Sequence, residues 1–222
     1  MIPTHFDWRL KNAVTRPKRQ GTCGGCYCFA AVDSLEYWWK RKTGNLKDLS
    51  VQQCIDCTNA FVQDSDGCDG GLMEDLFQLA TKKPIGVASY DRFKERTGKC
   101  PHHGPIGKKI KVKSYHVMSD EWNSPIEAEM TSNLVQYGPI PIGIDSKSMN
   151  FELYRGGVIR AKHCGKDIDH AVTVVAYTPE YWVVKNSWGT HWGEGGYFRI
   201  ERGKNACGIN TYSSFVTDAT VL

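Results

Sequence analysis

Residues 20–29 (QGTCGGCYCF) constrain this chain most, because they place three cysteines where a glycine-rich loop gives way to a predicted helix. The whole chain of 222 residues contains nine cysteines, and an odd number leaves at least one without a partner in the same chain. Several disulfides together with one reactive thiol are typical of oxidising or endolysosomal compartments. We therefore expect a fold that carries covalent bridges and keeps one thiol apart from them.

A histidine and an asparagine follow this cysteine cluster far along the chain. Cys26, His170 and Asn186 present a thiol, an imidazole and a carboxamide. In that order these groups can supply a nucleophile, its general base and the group that orients the base. Cys26 starts the predicted helix, where unpaired amides and the helix dipole stabilise a thiolate. Gln20 lies shortly before it, and its side-chain amide can join the Cys26 backbone N–H in donating to an oxyanion.

Charge balance and hydropathy disfavour nucleic-acid binding and a membrane span. The formal net charge is +4 with 23% charged residues, too mild a surplus to indicate a nucleic acid. The densest basic run, residues 108–113, alternates and predicts the solvent-facing side of a strand. No apolar run approaches the roughly 18 residues that cross a bilayer. With 41% hydrophobic residues, residues 1–222 suit one globular unit with a sizeable core.

The first half of the sequence predicts helices. Apolar residues about a turn apart predict a helix over residues 26–43, which Gly44 ends. Ser50 and Gln53 have the spacing of a capping box and predict the start of a second helix. A third helix is predicted over residues 72–82.

The second half predicts one more helix and then strands. Ser124 caps that helix, Pro125 is its first residue, Glu127 closes the box and Gly138 ends it. Helices followed by strands predict an α+β protein of two segregated lobes, with the chemistry in the cleft between them. Strands are predicted at residues 140–144, 157–160, 171–177, 181–185 and 197–201.

A predicted turn between two of these strands suggests how His170 and Asn186 meet. If Tyr177 faces Tyr181, then His170 faces Trp188. Asn186 becomes the diagonal neighbour of His170 on the same face of the sheet, about 5–8 Å away. That position suits an amide that orients an imidazole ring.

At these residues the sequence resembles the papain-like cysteine proteases, over nearly the whole chain. Residues 2–9 (IPTHFDWR) look like the mature amino terminus and residues 20–29 look like the nucleophile block. Residues 67–73 (GCDGGLM) resemble the substrate-binding strand of cathepsin L-type members. Residues 169–172 (DHAV) and 186–193 (NSWGTHWG) resemble the blocks of the base and its orienter. The chain is identified as a papain-like cysteine protease, most similar to the cathepsin L-like subgroup.

The resemblance implies a papain-like two-lobed fold with the active site in the cleft between the lobes. The helical left lobe would cover residues 11–112, and the right lobe, an antiparallel β-barrel-like unit, would cover residues 113–210. Both termini would cross between the lobes. The implied activity is that of a cysteine endopeptidase, which hydrolyses peptide bonds through a thioester on Cys26. The resemblance implies neither a metal nor an organic cofactor.

The resemblance also implies where a substrate binds. Gly70 and Gly71 would pair their backbone with an extended substrate, which glycine permits because no side chain blocks the approach. Trp188 would shield the hydrogen bond between the base and its orienter, and Trp192 would line the leaving-group side. Asp169, beside the base, is a further predicted substrate-binding residue.

The main specificity pocket is implied to be largely apolar, so we expect an apolar residue one before the scissile residue (P2). Tyr212 would shorten the pocket or offer it a hydroxyl, and Gly143 would open another wall. Gly25 and Tyr27 depart from the residues usual in the family, but neither removes a catalytic group. The implied pocket residues are Leu72, Met73, Gly143, Ile168 and Tyr212.

The resemblance sorts six cysteines into bridges and leaves Cys26, Cys28 and Cys54. Cys28 and Cys54 stand where the family usually has apolar residues, which favours buried free thiols over an additional bridge between them. Spacing alone leaves that bridge open. The implied bridges are Cys23–Cys68, Cys57–Cys100 and Cys164–Cys207.

Family members are usually made as zymogens. The resemblance therefore implies an inhibitory propeptide. It also implies polypeptide substrates and inhibitors of the cystatin type as partners. It also implies a monomer that works in a lysosome or vacuole, or after secretion.

Two other functions compete with proteolysis. Cys23 and Cys26 form a C-x-x-C pair, as in thiol–disulfide oxidoreductases, but no strand pattern precedes the pair as that motif requires. A non-catalytic binding protein of the same fold would need a lost catalytic group, and all four predicted groups are present.

The segment with two adjacent histidines admits two further interpretations. Cys54 and Cys57 with Cys100, His102 and His103 have a plausible order for a structural zinc site, although the implied bridges already use two of these cysteines. The histidine pair also resembles the one that blocks the cleft in cathepsin B-type exopeptidases. The long insertion that carries that pair is missing, which favours an endopeptidase.

Overall fold

The structure is a computed structural model and describes residues 2–63, 65–88, 92–119, 127–147 and 151–222. None of the helices in these ranges is both long and apolar enough to cross a membrane. The α-helices are α1 (Cys26–Thr43), α2 (Val51–Phe61), α3 (Met73–Lys82) and α4 (Glu127–Tyr137). The strands are β1 (Phe6–Asp7), β2 (Ile85–Gly86), β3 (Lys109–Ser119), β4 (Ile140–Ile144), β5 (Val158–Ile159), β6 (His170–Tyr177), β7 (Tyr181–Lys185), β8 (Tyr197–Glu201) and β9 (Tyr212–Val221).

The helix that carries the predicted nucleophile has the bounds expected from the sequence. α1 runs from Cys26 to Thr43, and Gly44 follows it in a left-handed conformation with φ of 78°. Its last turn holds Lys40, Arg41 and Lys42, whose positive charges favour the C-terminal end of the helix dipole.

Only one half of the predicted capping box of α2 forms. The Ser50 hydroxyl accepts a hydrogen bond from the Gln53 backbone N–H at 3.0 Å. The Gln53 side chain instead donates to the Pro84 carbonyl at 3.1 Å and accepts from the Gly86 N–H at 2.9 Å. The Ser50 N–H donates to the Gly86 carbonyl, so β2 satisfies the group that the box would have used. The prediction of a reciprocal box is therefore wrong.

The fourth predicted helix corresponds to α4. Its described part begins at Glu127, so the predicted start at Ser124 and Pro125 lies outside the described residues. It ends at Tyr137, before Gly138, whose φ is 99° and whose N–H donates to the Leu134 carbonyl at 3.2 Å.

One large open sheet crosses both lobes. The strand order is β2-β3-β9-β4-β6-β7-β8-β5, with β1 also paired to β6. All pairs between described strands are antiparallel except β5 with β8, which is parallel. The long strands β3 and β9 carry the sheet into the helical lobe, where β2 ends it. The sheet is therefore open and mixed, which differs from the barrel-like closure expected for the right lobe.

The register between β6 and β7 agrees only in part with the register predicted from the sequence. Tyr177 pairs with Trp182, so the predicted pairing of Tyr177 with Tyr181 is wrong. A bulge between Val174 and Ala176 shifts the register, and Val174 then pairs with Val184 as the predicted register requires. Because β7 ends at Lys185, the predicted ladder pair of His170 with Trp188 does not form; His170 pairs with Ile144 of β4 instead.

Two hydrophobic clusters correspond to the two lobes. The first surrounds α1, α2 and α3, and the second lies between α4 and strands β4, β6, β7 and β8. α1 contacts β6 and β9, so the helix of the first cluster lies directly against the sheet of the second. The N-terminus of α1 thereby meets the start of β6.

Eight cysteines form four disulfides, and Cys26 is the free cysteine among the described residues. Cys28 is bonded to Cys54, so the expectation of two buried free thiols is wrong. α1 and α2 pack so closely that the Cα atoms of these residues lie 5.8 Å apart, within the range that a disulfide spans. The other bridges are Cys23–Cys68, Cys57–Cys100 and Cys164–Cys207.

Candidate active site

A tightly packed loop places Cys26 as the first residue of α1. The Gly24 N–H donates to the Cys68 carbonyl at 2.7 Å, and a Cβ on Gly24 would lie 2.5 Å from that oxygen. A Cβ on Gly25 would lie 2.9 Å from Cδ1 of Ile55, which explains glycine at a position where the family usually has a larger residue. The close packing fixes where the helix, and with it the thiol, begins.

Cys26 and His170 line the same cavity and interact with each other there. Burial alone would raise the pKa of the Cys26 thiol, but the hydrogen bond and positive charge of His170 outweigh it and lower that pKa. Burial alone would lower the pKa of His170, but the hydrogen bond and charge of Cys26 raise it, with a further contribution from Asn186. The opposite shifts favour a thiolate beside an imidazolium.

Asn186 holds the far side of the imidazole ring. Its Oδ1 lies 2.9 Å from Nε2 of His170 and also accepts the Ser187 N–H at 2.8 Å. The Trp188 ring lies 5.2 Å from the His170 ring, and Phe151 approaches from 6.4 Å. The ring is therefore held by a directional bond and by aromatic packing, which leaves its other nitrogen for Cys26.

Gln20 is buried, and both ends of its carboxamide form hydrogen bonds. Its Nε2 donates to the Cys23 carbonyl at 3.0 Å, and its Oε1 accepts from the Ser187 hydroxyl at 2.6 Å. The carboxamide keeps a second N–H for another acceptor. Sequence reasoning missed Ser187, although it directly follows Asn186.

The predicted specificity residues line one cavity next to Cys26. A Cβ on Gly143 would lie 2.5 Å from Cγ2 of Ile168, so Ile168 fills the wall that Gly143 was expected to open. The Tyr212 hydroxyl donates to Glu74, a residue that sequence reasoning did not identify. The cavity of about 210 Å³ is lined by Cys26, Tyr27, Gly71, Leu72, Met73, Gly143, Ile168, Asp169, His170, Ala171 and Tyr212.

The glycine pair lies at the rim of this cavity. Gly70 has φ of 132° and open space where a Cβ would be, so its backbone is accessible to another chain. A Cβ on Gly71 would lie 2.7 Å from the Tyr27 ring. The Tyr27 hydroxyl donates to the Gly67 carbonyl at 3.1 Å and so holds the ring beneath this segment.

A second cavity is lined in part by Gln20. It measures about 450 Å³ and includes both predicted tryptophans. Trp188, which packs against the His170 ring, therefore also lines this second cavity. The lining residues are Arg19, Gln20, Gly21, Glu152, Trp188 and Trp192.

A buried ion pair, also missed by sequence reasoning, lies behind the orienter. Nζ of Lys185 donates to Asp33 at 2.6 Å and to Thr15 at 3.0 Å. Asp33, on α1, also accepts from the Thr173 hydroxyl of β6 at 3.0 Å. The pair therefore joins α1, which begins at Cys26, to β6, which begins at His170, and to β7, which ends just before Asn186.

Both competing functions need free cysteine thiols, and the disulfides occupy those cysteines. Cys23 is bonded to Cys68, so it does not form a redox pair with Cys26. Cys57 is bonded to Cys100, so neither thiolate can bind zinc. Among the described residues no group of histidine, cysteine and carboxylate side chains has the arrangement of a metal site.

The two adjacent histidines lie outside the cleft. They line a separate pocket with Cys57, Lys82 and Pro84. His102 and His103 therefore do not block the cavity beside Cys26.

Comparisons with known proteins agree with this geometry. The sequence profile of the papain family of cysteine proteases matches residues 2–217. Cathepsin F of Drosophila melanogaster is 38% identical over 94% of this chain and 34% of its own length, and cathepsin S of Bos taurus is 36% identical over 96% and 65%. The chain therefore spans about a third to two thirds of these curated relatives.

Solved structures extend the similarity to the fold. The crystal structure of a cysteine protease of Carica candamarcensis in complex with E-64 has a TM-score of 0.89 and 37% identity, over 98% of this chain and 99% of that one. Digestive procathepsin L 3 of the Tenebrio molitor larval midgut has a TM-score of 0.86 and 30% identity, over 97% and 70%.

Proposed function

The chain belongs to the papain family of cysteine proteases, and from that premise we propose that it hydrolyses peptide bonds within polypeptides through Cys26, His170 and Asn186. The observation that carries the proposal is that Cys26 and His170 line one cavity, where each shifts the pKa of the other, the thiol's downward and the imidazole's upward. A thiolate beside an imidazolium is the reactive state of a cysteine nucleophile.

The first half of the proposed reaction forms a thioester. The Cys26 thiolate attacks the scissile carbonyl carbon, and the negative charge passes to the carbonyl oxygen. The Gln20 side-chain amide and the Cys26 backbone N–H donate to this oxyanion. As the C–N bond breaks, the His170 imidazolium gives its proton to the leaving amine. Asn186 keeps the ring in position for this transfer through its bond to Nε2.

The second half releases the acid and restores the thiolate. The neutral His170 takes a proton from water, and the hydroxide oxygen attacks the thioester carbonyl. The same two donors hold the second oxyanion, which collapses as the C–S bond breaks. The sulfur leaves as a thiolate beside the imidazolium, so the starting pair is regenerated.

The shape of the cleft supports an endopeptidase. One cavity contains Cys26 and His170, another contains Gln20, Trp188 and Trp192, and His102 and His103 line neither of them. The backbone of Gly70 and Gly71 is placed to pair with an extended substrate. The apolar lining of the cavity beside Cys26 supports a preference for an apolar residue at P2.

We further propose that residues 1–222 act as one peptidase domain and as a monomer. Two of the curated relatives are cathepsins and one structural relative is a procathepsin, which supports synthesis with an inhibitory propeptide and regulation by cystatin-type inhibitors. The four disulfides support the proposal that the protein acts in a lysosome or vacuole, or after secretion.

The proposal is tested with end-blocked peptides and the Cys26→Ala variant. We expect the native chain to cleave internal bonds of blocked peptides and to be labelled by E-64 at Cys26 in stoichiometric amount. Cys26→Ala should lose both, while its circular dichroism spectrum stays that of the parent. Turnover retained in Cys26→Ala, or reduction of insulin disulfides without any peptidase activity, would refute the proposal.

A further inference from the structure

The carboxamide of Asn186 has hydrogen bonds at one end only. Its Oδ1 lies 2.9 Å from Nε2 of His170 and accepts the Ser187 N–H at 2.8 Å. The backbone N–H of Asn186 donates to the Gly196 carbonyl at 3.0 Å. The side-chain Nδ2, by contrast, is buried and has no hydrogen-bond partner among the described residues. An unpaired buried donor costs free energy, so this nitrogen calls for an acceptor.

A small polar cavity adjoins this carboxamide. It measures about 10 Å³, close to the roughly 10–15 Å³ that one water molecule requires. Asn186 lines it together with Asp33, Thr173 and Lys185. The cavity therefore lies between the residue that orients His170 and the buried ion pair behind it.

The ion pair has the capacity to bind a water molecule. Nζ of Lys185 donates to Asp33 at 2.6 Å and to Thr15 at 3.0 Å, which leaves the third N–H of the ammonium group for another acceptor. Oδ1 of Asp33 accepts from Lys185 and Oδ2 accepts from Thr173, and each oxygen can accept a second bond. One water molecule can therefore accept from Nδ2 of Asn186 and from Lys185 while it donates to Asp33. A buried water needs two to four such partners.

The charge of Asp33 determines which way these bonds run. The oxygen and nitrogen ends of a carboxamide are similar in size, so its orientation depends on its hydrogen-bond partners. A carboxylate only accepts, so a water molecule that donates to Asp33 presents its oxygen to Nδ2 of Asn186. This arrangement keeps Oδ1 toward Nε2 of His170 and leaves the other ring nitrogen for Cys26.

We propose that Asp33 is a positioning residue for the reaction: through one water molecule bound in this cavity, it holds the Asn186 carboxamide with Oδ1 toward His170. The inference rests on the proposed function, because the step it assists is the proton transfer by His170. Asp33 acts through Asn186 and not on the reacting atoms.

Two double variants separate this role from the effects of charge. Asp33→Leu/Lys185→Met removes both charges together with the polar partners of the water at these two positions. Asp33→Asn/Lys185→Met removes the same charges but keeps a side-chain oxygen as the acceptor. The groups that interact directly with His170, namely Cys26, Asn186 and Asp169, are the same in both variants.

Steady-state kinetics on an end-blocked fluorogenic peptide compare the two. In Asp33→Leu/Lys185→Met we expect kcat to fall about two- to tenfold, the range of one lost hydrogen bond, with KM unchanged. The alkaline fall of kcat/KM should also move to lower pH, because a less firmly held carboxamide stabilises the imidazolium less. Asp33→Asn/Lys185→Met should keep the native alkaline limb and a kcat within about twofold of the native chain. Equal kcat values and equal alkaline limbs in the two double variants overturn the inference.

Thr15→Val is the control for a general loosening of the ion pair. Thr15 accepts from the same ammonium group but does not line the cavity. We expect this variant to lose stability while kcat and the alkaline limb stay native. A fall in kcat as large as that of Asp33→Leu/Lys185→Met would overturn the inference.

A double-mutant cycle tests whether Asp33 acts through Asn186. In an Asn186→Ala background, Asp33→Leu/Lys185→Met should cause no further loss of kcat, because the carboxamide that the water holds is gone. A further loss as large as in the native background would show that Asp33 acts by another route and would overturn the inference.

A crystal structure of Cys26→Ala gives a readout that does not depend on activity. We expect an ordered water within about 2.7–3.2 Å of both Nδ2 of Asn186 and the Asp33 carboxylate. A map that shows other buried waters but none in this cavity overturns the inference. Failure of the native chain to cleave any peptide refutes the proposed function and the positioning role with it. Cleavage without the expected difference between the double variants refutes the positioning role alone.

Discussion

Removal of Asp33 should destabilise the protein far more than removal of a surface carboxylate. The Lys185 side chain is 2% exposed, and its ammonium group lies 2.6 Å from Asp33. Asp33→Ala removes the contacting counter-charge of this buried cation and leaves only the more distant charge of Glu36, and truncating one partner of a buried ion pair costs about 3–5 kcal/mol. The Thr173 hydroxyl loses its acceptor as well. We therefore expect the free energy of unfolding to fall by about 3–5 kcal/mol.

The loss should also depend on pH, with a sign that follows from Lys185. Burial lowers the pKa of this lysine in the native chain, although the charge of Asp33 opposes the shift. Without Asp33 the pKa falls further in the folded state, while the unfolded chain keeps the ordinary value. The unfolded state then binds more protons over the range between the two pKa values, so the stability of Asp33→Ala rises as the pH approaches the ordinary lysine pKa, and its deficit becomes smaller at alkaline pH.

Urea denaturation followed by circular dichroism measures these effects, in a Cys26→Ala background that prevents self-digestion. Asp218→Ala is the matched control, because its pair with Lys42 is exposed on both sides and an exposed pair contributes only about 0–1 kcal/mol. The double change Asp33→Leu/Lys185→Met should recover most of the loss, since it removes both charges. An Asp33→Ala loss no larger than the control's, or a double variant as unstable as the single one, would refute the reasoning.

Two further predictions concern the reactive pair and the unexpected disulfide. The value of kcat/KM should rise with pH as Cys26 loses its proton and should fall again as His170 loses its proton. In Asn186→Ala the alkaline fall should move to lower pH, because Asn186 helps to raise the pKa of His170. An unmoved alkaline limb would contradict the assignment. Thiol titration of the denatured, unreduced protein should find one thiol, and three titratable thiols would contradict the Cys28–Cys54 bridge. Replacing Cys28 and Cys54 by valine should lower the free energy of unfolding by about 2–4 kcal/mol.

Elements with a local sequence signal are predictable, and elements that depend on distant partners are not. The bounds of α1 follow from apolar spacing and from Gly44. The capping box fails at Gln53 because β2 offers its side chain other partners, and no local pattern reveals β2. β9 has weak alternation along residues 212–221 and gains its order from pairing with β3. The open sheet depends on that pairing, which explains why the expectation of a barrel-like lobe failed.

The same distinction applies to the site. Cys26, His170 and Asn186 are predicted from their chemistry and from the motifs around them, and the structure brings their side chains together. Asp33 and Glu74 are ordinary acidic residues on helices, and on a sequence they predict only a solvated face. Their roles arise because α1 packs on β6 and α3 approaches β9, and these contacts join distant parts of the chain.

The two acidic residues show how this fold holds its cleft. Each lobe has its own hydrophobic cluster, and hydrophobic contact is non-directional, so it does not by itself fix how far apart the two walls stand. The bonds from Asp33 to Lys185 and from Glu74 to Tyr212 both cross between helix and sheet, one behind the reacting pair and one beneath the specificity cavity. Hydrogen bonds constrain distance and angle. A cleft that must hold sulfur, imidazole and substrate in register therefore depends on polar contacts between the lobes, although packing within each lobe supplies most of the stability.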